Sequence, residues 1–173
     1  MSMRPADTTP AITYHVDSIN HTEQQSTCKV PSSLHSVAAA INISYAMHNR
    51  TNGSTVSLIN GSMAGKNLFA VSIYPARKIE FWERPSWQEL FEFAKANMDL
   101  LLKPDHALGT WFNDWECVHV VDVVVCISDR DAALGLGLRA EKEAVFDIEA
   151  RREIPIPLPH QRFNTNQHAG GAQ

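Results

Sequence analysis

Tyr74, His106, His119 and Asp122 carry the groups in this chain best suited to proton transfer or nucleophilic attack: a phenol, two imidazoles and a carboxyl set in a run of valines. His119 and Asp122 lie three residues apart in Cys117-Val-His-Val-Val-Asp-Val-Val-Val-Cys-Ile127. In an extended strand an odd separation sends two side chains to opposite faces, so these two do not form one dyad. Asp122 has two readings. It is a carboxylate tuned by burial for chemistry, or a structural one at a ladder edge or bonded to a nearby arginine, because burying it unpaired is costly. Together the four would form the dispersed active site of a small hydrolase or transferase, recognisable by a deep pocket joining at least two of them.

The other titratable side chains do not fall into a ligand set. There are eight histidines and three cysteines, but no His-x3-His on a helix and no Cys-x2-Cys. Those spacings would put two ligands on one metal ion, so neither a metal nor a cofactor is expected. Two glycine-bearing strings fail on closer reading. Gly61-Ser-Met-Ala-Gly65-Lys66 has three residues between its glycines where a phosphate loop has four, Asn67 replaces the hydroxyl residue, and a strand-like run follows instead of a helix. It reads as a hairpin loop. Gly135-Leu-Gly137-Leu-Arg-Ala140 has the spacing of a dinucleotide fingerprint, but Asp129 caps a helix upstream. Both glycines then fall inside that helix and suit close packing on a sheet. Cys117 and Cys126 fall on opposite faces of one strand, and an odd cysteine count suits a reducing, cytoplasmic compartment.

Charge is unevenly spread. The whole chain carries −4; Met1–Lys66 carries +1, whereas Asp105–Glu153 holds eleven acids against five bases, or −6. No basic stripe exists for nucleic-acid phosphates. No apolar run approaches the ~20 residues that span a bilayer, and the first ten residues lack the basic start and apolar core of a signal peptide. An acidic half would attract a protein partner with a basic surface, unless it serves solubility alone. Trp115 is the strongest surface anchor, since charged Asp114 and Glu116 flank it and a tryptophan buries large area with few rotamers. Asp114, Trp115, Glu116, Glu141, Glu143 and Glu149 are therefore the candidate binding residues.

These residues need elements to hold them. The valine run is apolar on both alternating faces, which predicts a central strand covered on both sides. Before it, the pattern predicts a strand at 12–19, a helix at 33–48, strands at 55–59 and 68–74 joined as a hairpin, and a strand at 78–82. Ser86 and Glu89 form a capping box for a helix at 86–102, and a strand at 108–112 precedes the central one. A helix at 129–142 and a strand at 144–148 follow, and the alternating prolines of 154–159 predict extended surface chain outside any sheet. The expected fold is α+β, a mostly antiparallel sheet with the helices at 86–102 and 129–142 on one face and the N-terminal helix covering the other. Residues 1–11 and 158–173 are expected tails; 12–157 form one domain, in which 12–53 is a β-α addition to a core at 54–157.

From Leu68 to Ile156 the strings Phe-Ala-Val-Ser-Ile-Tyr-Pro, Leu-Gly-Thr-Trp-Phe-Asn, Asp-Val-Val-Val, Ser-Asp-Arg-Asp-Ala-Ala, Ala-Val-Phe-Asp and Glu-Ile-Pro resemble small bacterial proteins carried on phages and other mobile elements. The resemblance covers about half of the chain. It implies an accessory or counter-defence setting and transfers no catalytic residue. Two function classes follow. The first is a non-enzymatic inhibitor that occludes a basic surface of a macromolecular partner; the second is the small hydrolase or transferase. A homodimer is a further way to cover the central strand.

Overall fold

The computed structural model describes residues 34–156. The expected strand at 12–19 and both expected tails lie outside them. Among the described residues four α-helices, α1 (Leu34–Thr51), α2 (Trp87–Ala96), α3 (Met98–Leu101) and α4 (Arg130–Arg139), accompany eight strands. The strands are β1 (Gly53–Ser57), β2 (Gly61–Ser62), β3 (Phe69–Val71), β4 (Lys78–Phe81), β5 (His106–Asn113), β6 (Val118–Ile127), β7 (Ala144–Asp147) and β8 (Arg152–Pro155). The class is α+β, and every strand pair is antiparallel.

The sheet runs β2-β1-β5-β6-β3-β7-β8, with β4 also on β6. β5 pairs along β6 from Val118 to Val125. The opposite edge of β6 is shared: β4 pairs with His119–Asp122 and β3 with Val125–Ile127. Ser72 to Arg77, including the 3-10 turn Pro75–Arg77, carries the chain between the two. The expected hairpin between 55–59 and 68–74 is corrected by this order. β1 turns back only onto the two-residue β2, and β5 and β6 separate β1 from β3. Gly61 and Gly65 take φ of 71° and 74° in that connection, which leads into β3; a side chain would be strained at either.

The first eight residues of β6 are buried. Val121 and Val123 pack with Val56, Leu108, Val37 and Ile41 of α1, Leu90 and Phe93 of α2, and Leu101 of α3. Ile127 joins Phe69, Val71, Val145 and Ala133 of α4 on the same face. All four helices therefore lie on one face, and the expectation that α1 covers the other is corrected: α1 shares its buried stripe with α2. Trp87 Nε1 donates to Asn42 Oδ1 at 2.7 Å, tying the two helices together.

The sheet itself seals the second face. Met63, beyond β2 at one margin, and Ile148, beyond β7, share a buried cluster with Ala70, Ala107 and Val124 at the centre. In a flat sheet several spacings of about 4.8 Å would separate them, so the sheet curls. A doubly apolar β6 is thus covered within one chain and by itself calls for no second copy.

Local chemistry sets the helix ends. Ser86 Oγ accepts from Glu89 N–H and Glu89 Oε2 accepts from Ser86 N–H at 2.7 Å, completing the capping box. The helix expected at 86–102 breaks at Asn97, whose buried side chain donates back to Phe93 O at 2.7 Å and competes with the backbone ladder. Asp129 Oδ1 accepts from Ala132 N–H at 2.7 Å and starts α4, which ends at Arg139 rather than 142. The prediction that 154–159 avoids the sheet is corrected in part. Ile154 and Pro155 close β8, and Pro155 is tolerated because β8 is a margin strand in its last residue.

Gly109 lies on the curled face opposite Asp122. A Cβ there would stand 2.6 Å from Asp122 Oδ1 and 2.9 Å from Val124 Cγ1. Gly109→Ala is expected to destabilise the fold by about 1–3 kcal/mol through overpacking. Gly135→Ala, whose nearest foreign atom is Arg139 Nη1 at 3.5 Å, is expected to stabilise it by up to ~1 kcal/mol through helix propensity. Urea midpoints that rank the two variants the other way would contradict this packing.

Candidate functional site

β4 is the most exposed strand near the centre of the sheet. Its residues alternate: Ile79 and Phe81 stand opposite Val121 and His119 on the helix side, Lys78 and Glu80 opposite Asp122 and Val120 on the curled side. An open groove runs along each face. On the curled side a groove of about 480 Å³ is lined by Glu80, Trp82, Glu116 and Val118. On the helix side a groove of about 340 Å³ is lined by Ile79, Phe81, Phe93 and Ala96, with Glu89 and Glu92 at its rim. Ile79 is 45% exposed, Trp82 83% and Trp115 95%.

The β5–β6 turn presents three of the candidate binding residues. Asn113 Oδ1 accepts from the backbone N–H groups of Trp115 and Glu116 at 3.1 and 3.3 Å, and Asn113 Nδ2 donates to Glu116 Oε2 at 2.7 Å. Cys117 closes the turn with φ 55°. Asp114, Trp115 and Glu116 are thereby held in one turn, of which Glu116 lines the curled-side groove. Glu141, Glu143 and Glu149 are exposed but distant. Glu141 and Glu143 precede β7, which β3 separates from β6. Glu149 follows Asp147, level through Phe69 with Ile127; nine residues of β6, about 30 Å, lie between that end and the Trp115 end. The six residues belong to two surfaces.

Of the candidate catalytic residues, two meet. Tyr74 Oη lies 2.8 Å from His106 Nε2, and His106 Nδ1 lies 2.7 Å from Asp105 Oδ1. The carboxylate only accepts, so Nδ1 donates to it, and in the neutral imidazole Nε2 accepts from the phenol. Burial and then the Asp105 charge push the Tyr74 phenol up, the opposite of activating it as a nucleophile. His119 is on the same face as His106, but six residues along β6, about 20 Å, separate their positions. Asp122 is on the other face. Neither groove is lined by any of the four.

His119 instead ends a buried polar chain that was not anticipated from sequence. Ser44 Oγ, Ser54 Oγ, Thr110 Oγ1, His48 and His119 are linked in that order at 2.7, 2.8, 3.0 and 2.9 Å. It joins α1 to β1, β5 and β6. Ser44 and His48, at i and i+4, continue the stripe of Val37 and Ile41 into the interior, and that spacing was the available signal. Arg84 caps the end of α1 above it, donating to Asn49 O at 2.7 Å and Asn52 Oδ1 at 2.9 Å. Burial, then His119, then Arg84 hold His48 down to about 4. Burial and Arg84 also lower His119.

Asp122 is fully buried, and neither carboxylate oxygen has a hydrogen-bond partner among the described residues. It stands opposite Lys78 at the end of the β4–β6 ladder, and no arginine among the described residues binds it. Burial pushes it up to about 7; Ser72, Lys142 and Lys78 pull the other way, and the Ser72 hydroxyl falls short of hydrogen-bond geometry. Cys126 is raised to about 12, again by burial first. Among the described residues no cluster of three or more His, Cys, Asp or Glu side chains is placed to hold a metal ion. No described helix is long and apolar enough to cross a membrane.

The two shifted groups act on stability in opposite directions. Unfolded His48 gains a proton near 6.5 but folded His48 only near 4, so the fold loses stability as pH falls through that window. Unfolded Asp122 loses its proton near 3.8 but folded Asp122 only near 7, so the fold loses stability as pH rises through that one. The slopes offset where the windows overlap. Asp122→Asn is expected to leave stability rising between about pH 4 and 6.5, and His48→Gln to leave it falling between about pH 4 and 7. Denaturant midpoints across this range read both slopes; a flat profile in either variant contradicts the corresponding burial.

No family model, curated protein or solved structure matches this chain.

Proposed function

We propose that this chain is a non-enzymatic binding protein that docks a basic protein surface against the Trp82–Trp115 end of the molecule and acts by occluding it. The carrying observation is that two tryptophans are left in water: Trp82, 83% exposed, lines an open groove with Glu80 and Glu116, and Trp115, 95% exposed, adjoins Glu116 in the β5–β6 turn. Exposed tryptophans close to carboxylates supply both elements of cation recognition. Their ring faces attract ammonium or guanidinium groups, and the carboxylates complete charge-assisted hydrogen bonds. Asn113 fixes the turn in advance, which lowers the ordering cost of binding. An accessory or counter-defence setting suits such an inhibitor. The hydrolase or transferase reading has the Tyr74–His106–Asp105 contact in its favour, but that phenol is held protonated and opens on neither groove.

The test is affinity capture with the native chain and with a Trp82→Ala/Trp115→Ala/Glu116→Ala variant, followed by titration of the recovered partner. Each tryptophan replacement is expected to weaken binding about tenfold, and added salt to weaken it further. The thermal midpoint should stay within a few degrees, because these side chains contribute little to the core. A partner held equally well by the triple variant removes the proposal.

A further inference from the structure

We infer that the partner segment binds as an extra β-strand along the free edge of β4, with alternate side chains apolar and basic. This deepens the docking proposal and rests on it. β4 pairs with β6 along one edge only, and its other edge makes no backbone hydrogen bond to any described residue. The remaining margins are blunted: β2 has two residues, and β8 ends at Pro155 behind charged Arg152 and Glu153. The free edge of β4 also lies between the two grooves. A strand added about 4.8 Å away would send alternate side chains to opposite faces of the sheet. One set would meet Ile79, Phe81, Phe93 and Ala96; the other would meet Glu80, Trp82 and Glu116.

Charge selects the occupant. Four carboxylates line the grooves, and two ammonium groups answer them, Lys78 on Glu80 at 2.5 Å and Lys95 on Glu92 at 3.7 Å. Such exposed pairs are weak and exchangeable, and the surplus is negative. Lys78 repels a cation at its own end of β4, so basic side chains belong at the Trp82–Glu116 end. The chain's own segment 12–19, a strand by sequence pattern alone, has Asp17 and neither Lys nor Arg, so it lacks the required charge.

The probe is a short fluorescein-labelled peptide of alternating lysine and valine, titrated against the full chain by anisotropy. Two further versions are N-methylated at one or the other alternate set of amides, and a fourth carries glutamate for lysine. Saturable binding is expected, with a loss of about tenfold or more for one methylated set only, because only alternate amides of an added strand face the edge. The glutamate peptide should not bind, and the free-edge amides of β4 should exchange hydrogen more slowly in the complex. Absence of saturable binding, or equal effects of both methylations, overturns strand addition. So does slowing of the β4 amides by concentrating the chain alone, which would assign the edge to a second copy. Binding that responds to Trp82→Ala but to neither methylation leaves the docking proposal standing and removes this one. The reverse pattern, methylation-sensitive but indifferent to Trp82→Ala, Trp115→Ala and Glu116→Ala, removes the docking proposal instead.

Discussion

Burial of β6 on both faces is the constraint from which the other elements take their places. Six valines of that strand are buried, and each contributes roughly 1.5–3 kcal/mol on leaving water. One strand can bury both faces only if helices occupy one side and something else closes the other. Here α1, α2, α3 and α4 take the first side, and the curl of the sheet closes the second with Met63, Ala70, Ala107 and Ile148. Curling needs small residues on the concave side, which Gly109, Ala107 and Ala70 supply.

Within this interior two polar features carry opposite costs. The chain from Ser44 to His119 is satisfied link by link, so it fixes the azimuth of α1 on the sheet with little desolvation left uncompensated. Asp122 has no such relief. A shift from 3.8 to about 7 corresponds to on the order of 4 kcal/mol against the ionised fold. The six valines outweigh it, so the fold tolerates the carboxyl without being explained by it.

Much of this architecture was legible in the residues. The doubly apolar run named β6 as central, and Ser86, Glu89 and Asp129 marked helix starts through capping chemistry that acts over three residues. Local signals of that kind survive in any fold. Strand partners did not: 55–59 and 68–74 look like a hairpin because they are close in sequence, yet β5 and β6 come between them, and no short-range pattern encodes that insertion. The side chosen by α1 was illegible for a related reason, since an apolar stripe says that a helix is covered and not by which face. At the site, the flanking charges of Trp115 marked it as a surface residue. β4 was missed as a free edge, because a four-residue strand between Tyr74-Pro75 and Trp82 reads the same whether one edge or both are paired. The alternation of His119 and Asp122 across the sheet followed directly from strand geometry.

The division of one β6 edge between β3 and β4 separates two kinds of work. β3 is buried and carries the α4 half of the interior, whereas β4 is largely exposed and hangs on four residue pairs. The two strands share no ladder, so substitutions at Lys78, Ile79, Glu80 or Trp82 need not propagate into the packing around Val71 and Val145. A molecule arranged this way can accept change along its exposed strand while its scaffold stays put.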